Sequence, residues 1–146
     1  MKKLISILVV AFIALSVTAQ VTSRSGELKT LKSFRLGNCK LVEVTKAETV
    51  TYQITATCVN ATSYKMDLQL GNAKQAVQLL ESLSTYKPSN SNEVVDLNNP
   101  GFNTARFEKL GGVWRIYSDG KQFEISVTRK ELSTMAQTLR DHGNIQ

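Results

Sequence analysis

Carboxylates are the side chains in this sequence that could do acid–base chemistry without a recognisable motif. A pair of them can serve as general acid and general base when the fold holds them on either side of a substrate. The candidates are Asp67, Glu108 and Glu124, each at a position that the strand pattern predicts to face solvent. A carboxylate in open solvent is not poised for proton transfer at neutral pH. The sequence therefore favours a protein that is not an enzyme, and a hydrolase with a carboxylate pair in a groove between two repeats is the alternative.

Nucleophilic and metal chemistry have few residues to work with. The chain has one histidine, His142, which would have to be the base in any serine–histidine or cysteine–histidine arrangement. It stands close to the end of the sequence, where chains tend to fray. Two cysteines and one histidine are too few for a structural zinc site, which needs about four ligands. We expect no metal and no cofactor.

An arginine between two glutamates is the most specific polar arrangement in the second half. Gly111-Gly112 and Asp119-Gly120 are typical of two-residue hairpin turns, because both supply residues that tolerate positive φ. With these turns fixed, Arg115 falls opposite both Glu108 and Glu124. Opposite charges in such positions form a cross-strand ladder.

This ladder has two interpretations. It can simply set the register of an exposed sheet, or Arg106, Arg115 and Tyr117 can form a ligand-facing patch, with Tyr117 opposite Arg106. Trp114 should point to the other face, into the core opposite Ile125, so no aromatic platform for sugars or bases is expected. The patch supplies the candidate binding residues.

The two cysteines, Cys39 and Cys58, predict a disulfide if the chain folds in an oxidising compartment. A hairpin turn at Gly37-Asn38 places Cys39 on the same apolar face as Phe34 and Leu41. Pairing Cys39 opposite Cys58 also sets Leu41 opposite Ala56, so apolar side chains stay together. That register has one conflict, since it places Glu43 opposite Ile54. Two buried free thiols are the alternative.

The first nineteen residues have the layout of a secretory signal peptide. Lys2 and Lys3 precede a nearly unbroken apolar run over residues 4–17, and small residues end at Ala19. The apolar run is shorter than the roughly 20 residues that a spanning helix needs. We therefore expect residues 1–19 to be cleaved, with no membrane span in the product and a periplasmic or extracellular location.

The remainder, residues 20–146, has the size and composition of a single globular domain. Hydrophobic residues make up 42% and charged residues 21% of the chain, which is ordinary for a packed protein. The whole chain has a formal net charge of +6, and residues 20–146, without Lys2 and Lys3, carry 16 minus 12, or +4; this charge favours solubility and weak attraction to anionic surfaces. Nucleic acid is a poor partner for an exported protein, and no nucleic-acid motif is present.

Strands with alternating apolar and polar residues occupy most of this domain, and two helices interrupt them. Asn72 is a candidate N-cap for a helix that ends near Tyr86, and a second helix is predicted from about Arg129 to Arg140. The pattern leaves open whether residues 25–36 are strand or helix. The order of elements predicts an α+β fold.

The second half of the domain restates the pattern of the first. Residues 31–86 and 93–141 each predict a strand meander followed by a helix. We expect one long antiparallel sheet with both helices packed on one face, because each half alone is too small to bury much surface.

These observations together predict a small exported binding or accessory protein. Its partner would be an envelope or extracellular protein or glycan. Self-association through an edge strand such as Glu93–Leu97 is a further prediction.

Overall fold

The computed structural model describes residues 26–99 and 102–143, which form two similar halves. The predicted signal peptide and the residues up to 25 lie outside the described part of the chain. Among the residues that are described, no helix is long and apolar enough to span a membrane.

The first half is a four-stranded antiparallel meander followed by a helix. Its strands pair in sequence order. The segment that the sequence left undecided is a strand as far as Phe34, and a 3₁₀ turn at Arg35–Gly37 follows it. The elements are β1 (Glu27–Phe34), β2 (Cys39–Lys46), β3 (Thr49–Thr57), β4 (Lys65–Gly71) and α1 (Ala73–Thr85).

The second half repeats this arrangement. Its four strands again pair in sequence order and lead into a helix. The elements are β5 (Val94–Asn99), β6 (Phe102–Glu108), β7 (Val113–Tyr117), β8 (Glu124–Thr128) and α2 (Arg129–Gly143). The predicted α+β class and the two similar halves are confirmed.

The prediction of one long sheet is wrong, because the strands form two separate four-stranded sheets. The outer edge of β8 does not pair with a strand of the first half. It is covered instead by a side chain of the β1–β2 turn and by the loop that follows β3. The bonds are Arg35 Nη2 to Ser126 O (2.6 Å), Val59 N to Glu124 O (2.9 Å), Asn60 Nδ2 to Gln122 O (3.0 Å) and Glu124 N to Asn60 Oδ1 (3.2 Å).

Both helices begin at side chains that bond the first free backbone amides. The Asn72 side chain accepts from Gln75 N, and the Gln75 side chain accepts from Asn72 N, both at 3.0 Å. This capping box confirms the predicted start of α1. At α2, Thr128 Oγ1 accepts from Glu131 N at 3.1 Å and Glu131 Oε2 accepts from Thr128 N at 2.8 Å. Glu131 also forms an ion pair with Arg35 (2.8 Å).

The two halves share one core. The helices pack against each other and against the inner faces of both sheets. Trp114 of β7 is fully buried, as predicted, and its indole Nε1 donates to Leu83 O of α1 at 2.8 Å. The second sheet is thus bonded to the helix of the first half. The largest fully buried side chains come from both halves: Leu41, Ile54, Leu68, Leu80, Trp114, Ile116, Ile125, Leu132, Met135 and Leu139.

The predicted disulfide is not formed, and both cysteines are buried free thiols. Cys39 lies opposite Ala56, and Cys58 is two residues further along the chain. Diagonal neighbours across a strand pair lie about 7–8 Å apart, which is too far for a disulfide without backbone movement. Burial raises the pKa of the Cys39 thiol, and the nearby Arg35 guanidinium opposes part of that rise.

The register between β2 and β3 is set by the two-residue connection Ala47-Glu48, which places Lys46 opposite Thr49 and therefore Cys39 opposite Ala56. The β1–β2 connection is longer than the two residues predicted, since Phe34 lies opposite Cys39 and the 3₁₀ turn and Asn38 intervene. The predicted register had placed Glu43 opposite Ile54, and this conflict is absent from the observed register. Leu41 lies opposite Ile54, so two apolar residues meet.

Candidate functional site

The outer face of the second sheet carries the predicted binding residues. Arg115 lies opposite Arg106 and Ser126, and Tyr117 lies opposite Thr104 and Glu124. The predicted partners were displaced by two residues, because both connecting turns are longer than two residues. A shift of two leaves every side chain on its predicted face, since side chains alternate with a period of two.

The predicted charge ladder forms despite this shift. Arg115 Nε lies 3.2 Å from Glu108 Oε1, and Arg115 Nη1 lies 3.6 Å from Glu124 Oε1. These contacts run diagonally between strands, where long side chains still reach each other. Arg106 joins the same cluster through Nη2, 3.3 Å from Glu108 Oε1. Arg115 is therefore held between two acids and ties three strands together.

A shallow groove of about 270 Å³ lies beside this ladder. It contains two of the three predicted site residues, Arg106 and Tyr117, but Arg115 does not line it. The other lining residues are Val94 from the edge strand β5, Thr104 from β6 and Lys121 from the turn before β8. Among the residues whose side chains the structure describes, none that lines the groove is acidic.

Two polar groups of the groove have no hydrogen-bond partner among the described residues. They are the buried Thr104 hydroxyl and the buried Arg106 Nε. Burial raises the pKa of Tyr117, and the Glu124 carboxylate beside its hydroxyl also raises it. Tyr117 therefore keeps its proton at neutral pH. A ligand that accepts hydrogen bonds and carries negative charge fits this set.

Sequence reasoning missed three groove residues: Val94, Thr104 and Lys121. The alternation of apolar and polar residues predicts a last strand over residues 121–127, but the strand begins at Glu124. Lys121 instead ends a 3₁₀ turn with φ of 55°. The Asp-Gly pair before it signalled a turn but gave no indication of its length.

The carboxylates named as candidates for a hydrolase do not face one another across a cleft. Asp67 lies on the first sheet, where its Oδ1 accepts from the Thr55 hydroxyl at 2.5 Å. Glu108 and Glu124 have Arg115 between them. A groove of about 420 Å³ does lie where the halves meet, but no acid lines it; its residues are Gln69, Leu70, Gly71, Gln75, Leu79, Leu97, Asn98 and Asn99.

His142 does not lie in a frayed end. It belongs to α2, and its Nε2 is 2.7 Å from Glu43 Oε2 on β2. The Tyr52 hydroxyl also donates to Glu43 Oε2, at 3.3 Å. Across residues 26–99 and 102–143, no hydroxyl or thiol is hydrogen-bonded to His142. No set of three histidine, cysteine, aspartate or glutamate side chains in that same part is placed to hold a metal.

Comparisons with protein-family models, with curated proteins and with solved structures give no match.

Proposed function

We propose that this chain is a small binding or accessory protein that binds acidic groups of an envelope or extracellular partner, a protein or a glycan. The observation that carries the proposal is the groove on the second sheet. Arg106 and Lys121 line it together with the neutral Tyr117 hydroxyl, and the described residues that line it include no acid, although Arg106 pairs with Glu108 beside the groove. We propose no catalytic role for these residues.

Each residue of the groove has a distinct part in binding. The planar Arg106 guanidinium suits two oxygens of one carboxylate, whereas Lys121 supplies a point charge. Thr104 and Tyr117 add hydroxyl donors. Val94, which is 57% exposed, offers apolar contact for the uncharged part of a ligand.

The proposed location is the cell envelope or the extracellular space. It is supported by the leader-like pattern of residues 1–19. The net charge of residues 20–146, 16 minus 12 or +4, would steer acidic partners towards the protein.

The test is an NMR titration of ¹⁵N-labelled protein with two acidic probes and their neutral counterparts. The probes are trigalacturonate against its methyl ester, and a short polyglutamate peptide against polyglutamine. We expect shift changes around Arg106, Tyr117 and Lys121 with an acidic probe only. Arg106→Ala and Lys121→Ala should each raise Kd about tenfold, because each removes a charge-assisted hydrogen bond.

Lys74→Ala is the matched control, because Lys74 is an exposed lysine of α1 in the other half. Loss of binding in the control equal to that in Lys121→Ala would show non-specific charge attraction and refute the proposed site. Equal shifts with acidic and neutral probes would refute the ligand class.

A further inference from the structure

Two hairpin turns from different halves meet at the first turn of α2. The β1–β2 turn reaches it through Arg35, which donates to Ser126 O and pairs with Glu131. The β6–β7 turn, residues 109–112, reaches it through Gly112 O, which accepts from Arg129 N at 3.0 Å. The two turns therefore flank the start of α2 from either side.

Each turn presents a leucine to solvent. Leu36 is 106% exposed and Leu110 is 95% exposed, which are the highest values among the large apolar residues that the structure describes as exposed. Neither side chain contributes to the core. The hydrophobic effect gives no reason within the folded chain for leucine at either position.

The backbone conformation at Leu36 is a second reason why leucine at this position does not stabilise the fold. Arg35 and Leu36 have φ of 48° and 54°, in the left-handed region that favours glycine or asparagine. A leucine there is unfavourable for the fold both in conformation and in exposure. A strained residue that gains nothing inside the protein indicates a contact outside it.

Four cations without an ion pair lie beside the turn that carries Leu110 and in the first turn of α2. Lys87, Lys109 and Arg129 line one groove, and Lys130 follows in the helix. Arg129 also donates to Tyr86 O and lies 4.2 Å from the centroid of the Phe107 ring. None of these four forms an ion pair within residues 26–99 and 102–143. Cations in the first turn are unfavourable for a helix, because its amino end is already positive.

The nearby acids are already engaged. Glu131 is paired with Arg35. Glu93 accepts from the Tyr86 hydroxyl at 2.5 Å. The end of the molecule therefore has an excess of positive charge that the protein does not itself neutralise.

We propose that this end, the leucine tip, binds the surface of an anionic phospholipid bilayer; it comprises Leu36, Lys87, Lys109, Leu110, Arg129 and Lys130. The leucines enter the boundary between headgroups and acyl chains, and the cations bind the lipid phosphates. A fluid bilayer suits two separate apolar points on a charged surface, whereas a protein interface is built around a continuous, closely packed apolar centre. This inference is independent of the proposed function, because the groove on the second sheet shares no residue with the leucine tip.

The test is co-sedimentation of the chain from Gln20 onward, which contains every described element, with lipid vesicles. We expect binding to vesicles of phosphatidylglycerol and phosphatidylcholine, no binding to phosphatidylcholine alone, and weaker binding as salt rises. Leu36→Asn with Leu110→Ser should weaken binding about tenfold or more. Lys109→Gln or Arg129→Gln should each weaken it about 5-fold.

The stability of Leu36→Asn separates binding from folding. Asparagine tolerates positive φ, so this variant should unfold at the same or a higher temperature than the original while its lipid binding falls. Leu28→Ser is the matched apolar control, because Leu28 is 61% exposed at the far end of β1. Lys46→Gln, at the far end of β2, is the charge control.

Three results would overturn the proposal. The first is equal binding to both kinds of vesicle or to neither. The second is a loss in Leu28→Ser or Lys46→Gln as large as that in the variants of the leucine tip. The third is complete displacement by millimolar inorganic phosphate, which would identify a site for small anions instead.

Discussion

Trp114 and Arg115 are neighbours in β7, yet their side chains serve opposite faces of the second sheet. Trp114 fills the shared core and contacts the rings of Phe107 and Tyr86, with centroids 5.1 and 5.8 Å away. Arg115 is 23% exposed and pairs with acids on the outer face. The two residues therefore allow core packing and surface charge to be compared at adjacent positions of one strand.

Replacing Trp114 by alanine should cost far more stability than replacing Arg115 by alanine. The first change leaves a cavity and should lower the free energy of unfolding by about 3–5 kcal/mol. The second removes partly exposed ion pairs and should cost about 1 kcal/mol or less. Urea unfolding of both variants measures the difference. Equal losses would show that the ladder, and not the core, holds the second sheet together.

For single residues, the sequence predicted which face of the sheet a side chain occupies better than it predicted the residue opposite on the next strand. Alternation placed Trp114 inside and Arg106, Arg115 and Tyr117 outside, because the side-chain period of a strand does not depend on register. The partner predicted for Cys39 on β3 was wrong because it depends on the position of the β2–β3 turn. That turn is Ala47-Glu48, and Ala47 has φ of 53°, which no residue preference predicts.

Among the elements, α2 depends on its first turn more heavily than α1 does. Both helices have a capping box, but Glu131 also pairs with Arg35 and so connects α2 to the first half. Gln75, the corresponding residue of α1, has no such second partner among the hydrogen bonds of the described residues. The two boxes therefore provide a matched comparison.

Thr128→Ala and Asn72→Ala should each lower the free energy of unfolding by about 1 kcal/mol, because each removes one cap. Glu131→Gln keeps a side chain that can cap but loses the charge that binds Arg35. It should therefore destabilise the protein more than Gln75→Ala does. Thermal unfolding followed by circular dichroism provides the measurement. The reverse order would mean that the Arg35 pair contributes no stability.

The helix boundaries could be predicted because the signals are local. Asn72 begins α1, and the helix ends before Lys87-Pro88. The spacing of Thr128 and Glu131 was a matching signal for the start of α2 that sequence reasoning passed over. The division into two sheets could not be predicted in this way, since strands of both halves have the same alternation and differ only in which edges meet.

Over the whole molecule, neither half has a core of its own. The side chains that fill the core come from both meanders and both helices. Trp114 bonds to Leu83 across the halves, and Arg35 bonds to Ser126. A chain divided in the loop between Lys87 and Glu93 would therefore expose apolar surface on both fragments.

Each fragment from such a cut should lack a cooperative unfolding transition when it is alone, because a unit of about 60 residues buries little surface and here would lose half of its core. Mixing the two fragments should restore the near-ultraviolet signal of Trp114. A cooperative transition in either isolated fragment would show that the halves are separate domains.

The groove on the second sheet also depends on how separate elements of the molecule come together. Arg106 and Tyr117 were found from the sequence because they lie on strands with a clear alternation. Val94 and Lys121 complete the groove from an edge strand and a 3₁₀ turn. Their positions follow from how the strands are connected, which the local pattern does not encode.

The covered edge of β8 limits how copies of this chain can associate through the second sheet. Arg35, Val59 and Asn60 occupy the backbone groups that another strand would need at that edge. The one remaining edge of this sheet is β5, the strand predicted for self-association. Pairing of β5 with β5 of a second copy uses the open edge of both, so strand addition there closes at a twofold dimer and cannot propagate into a fibre.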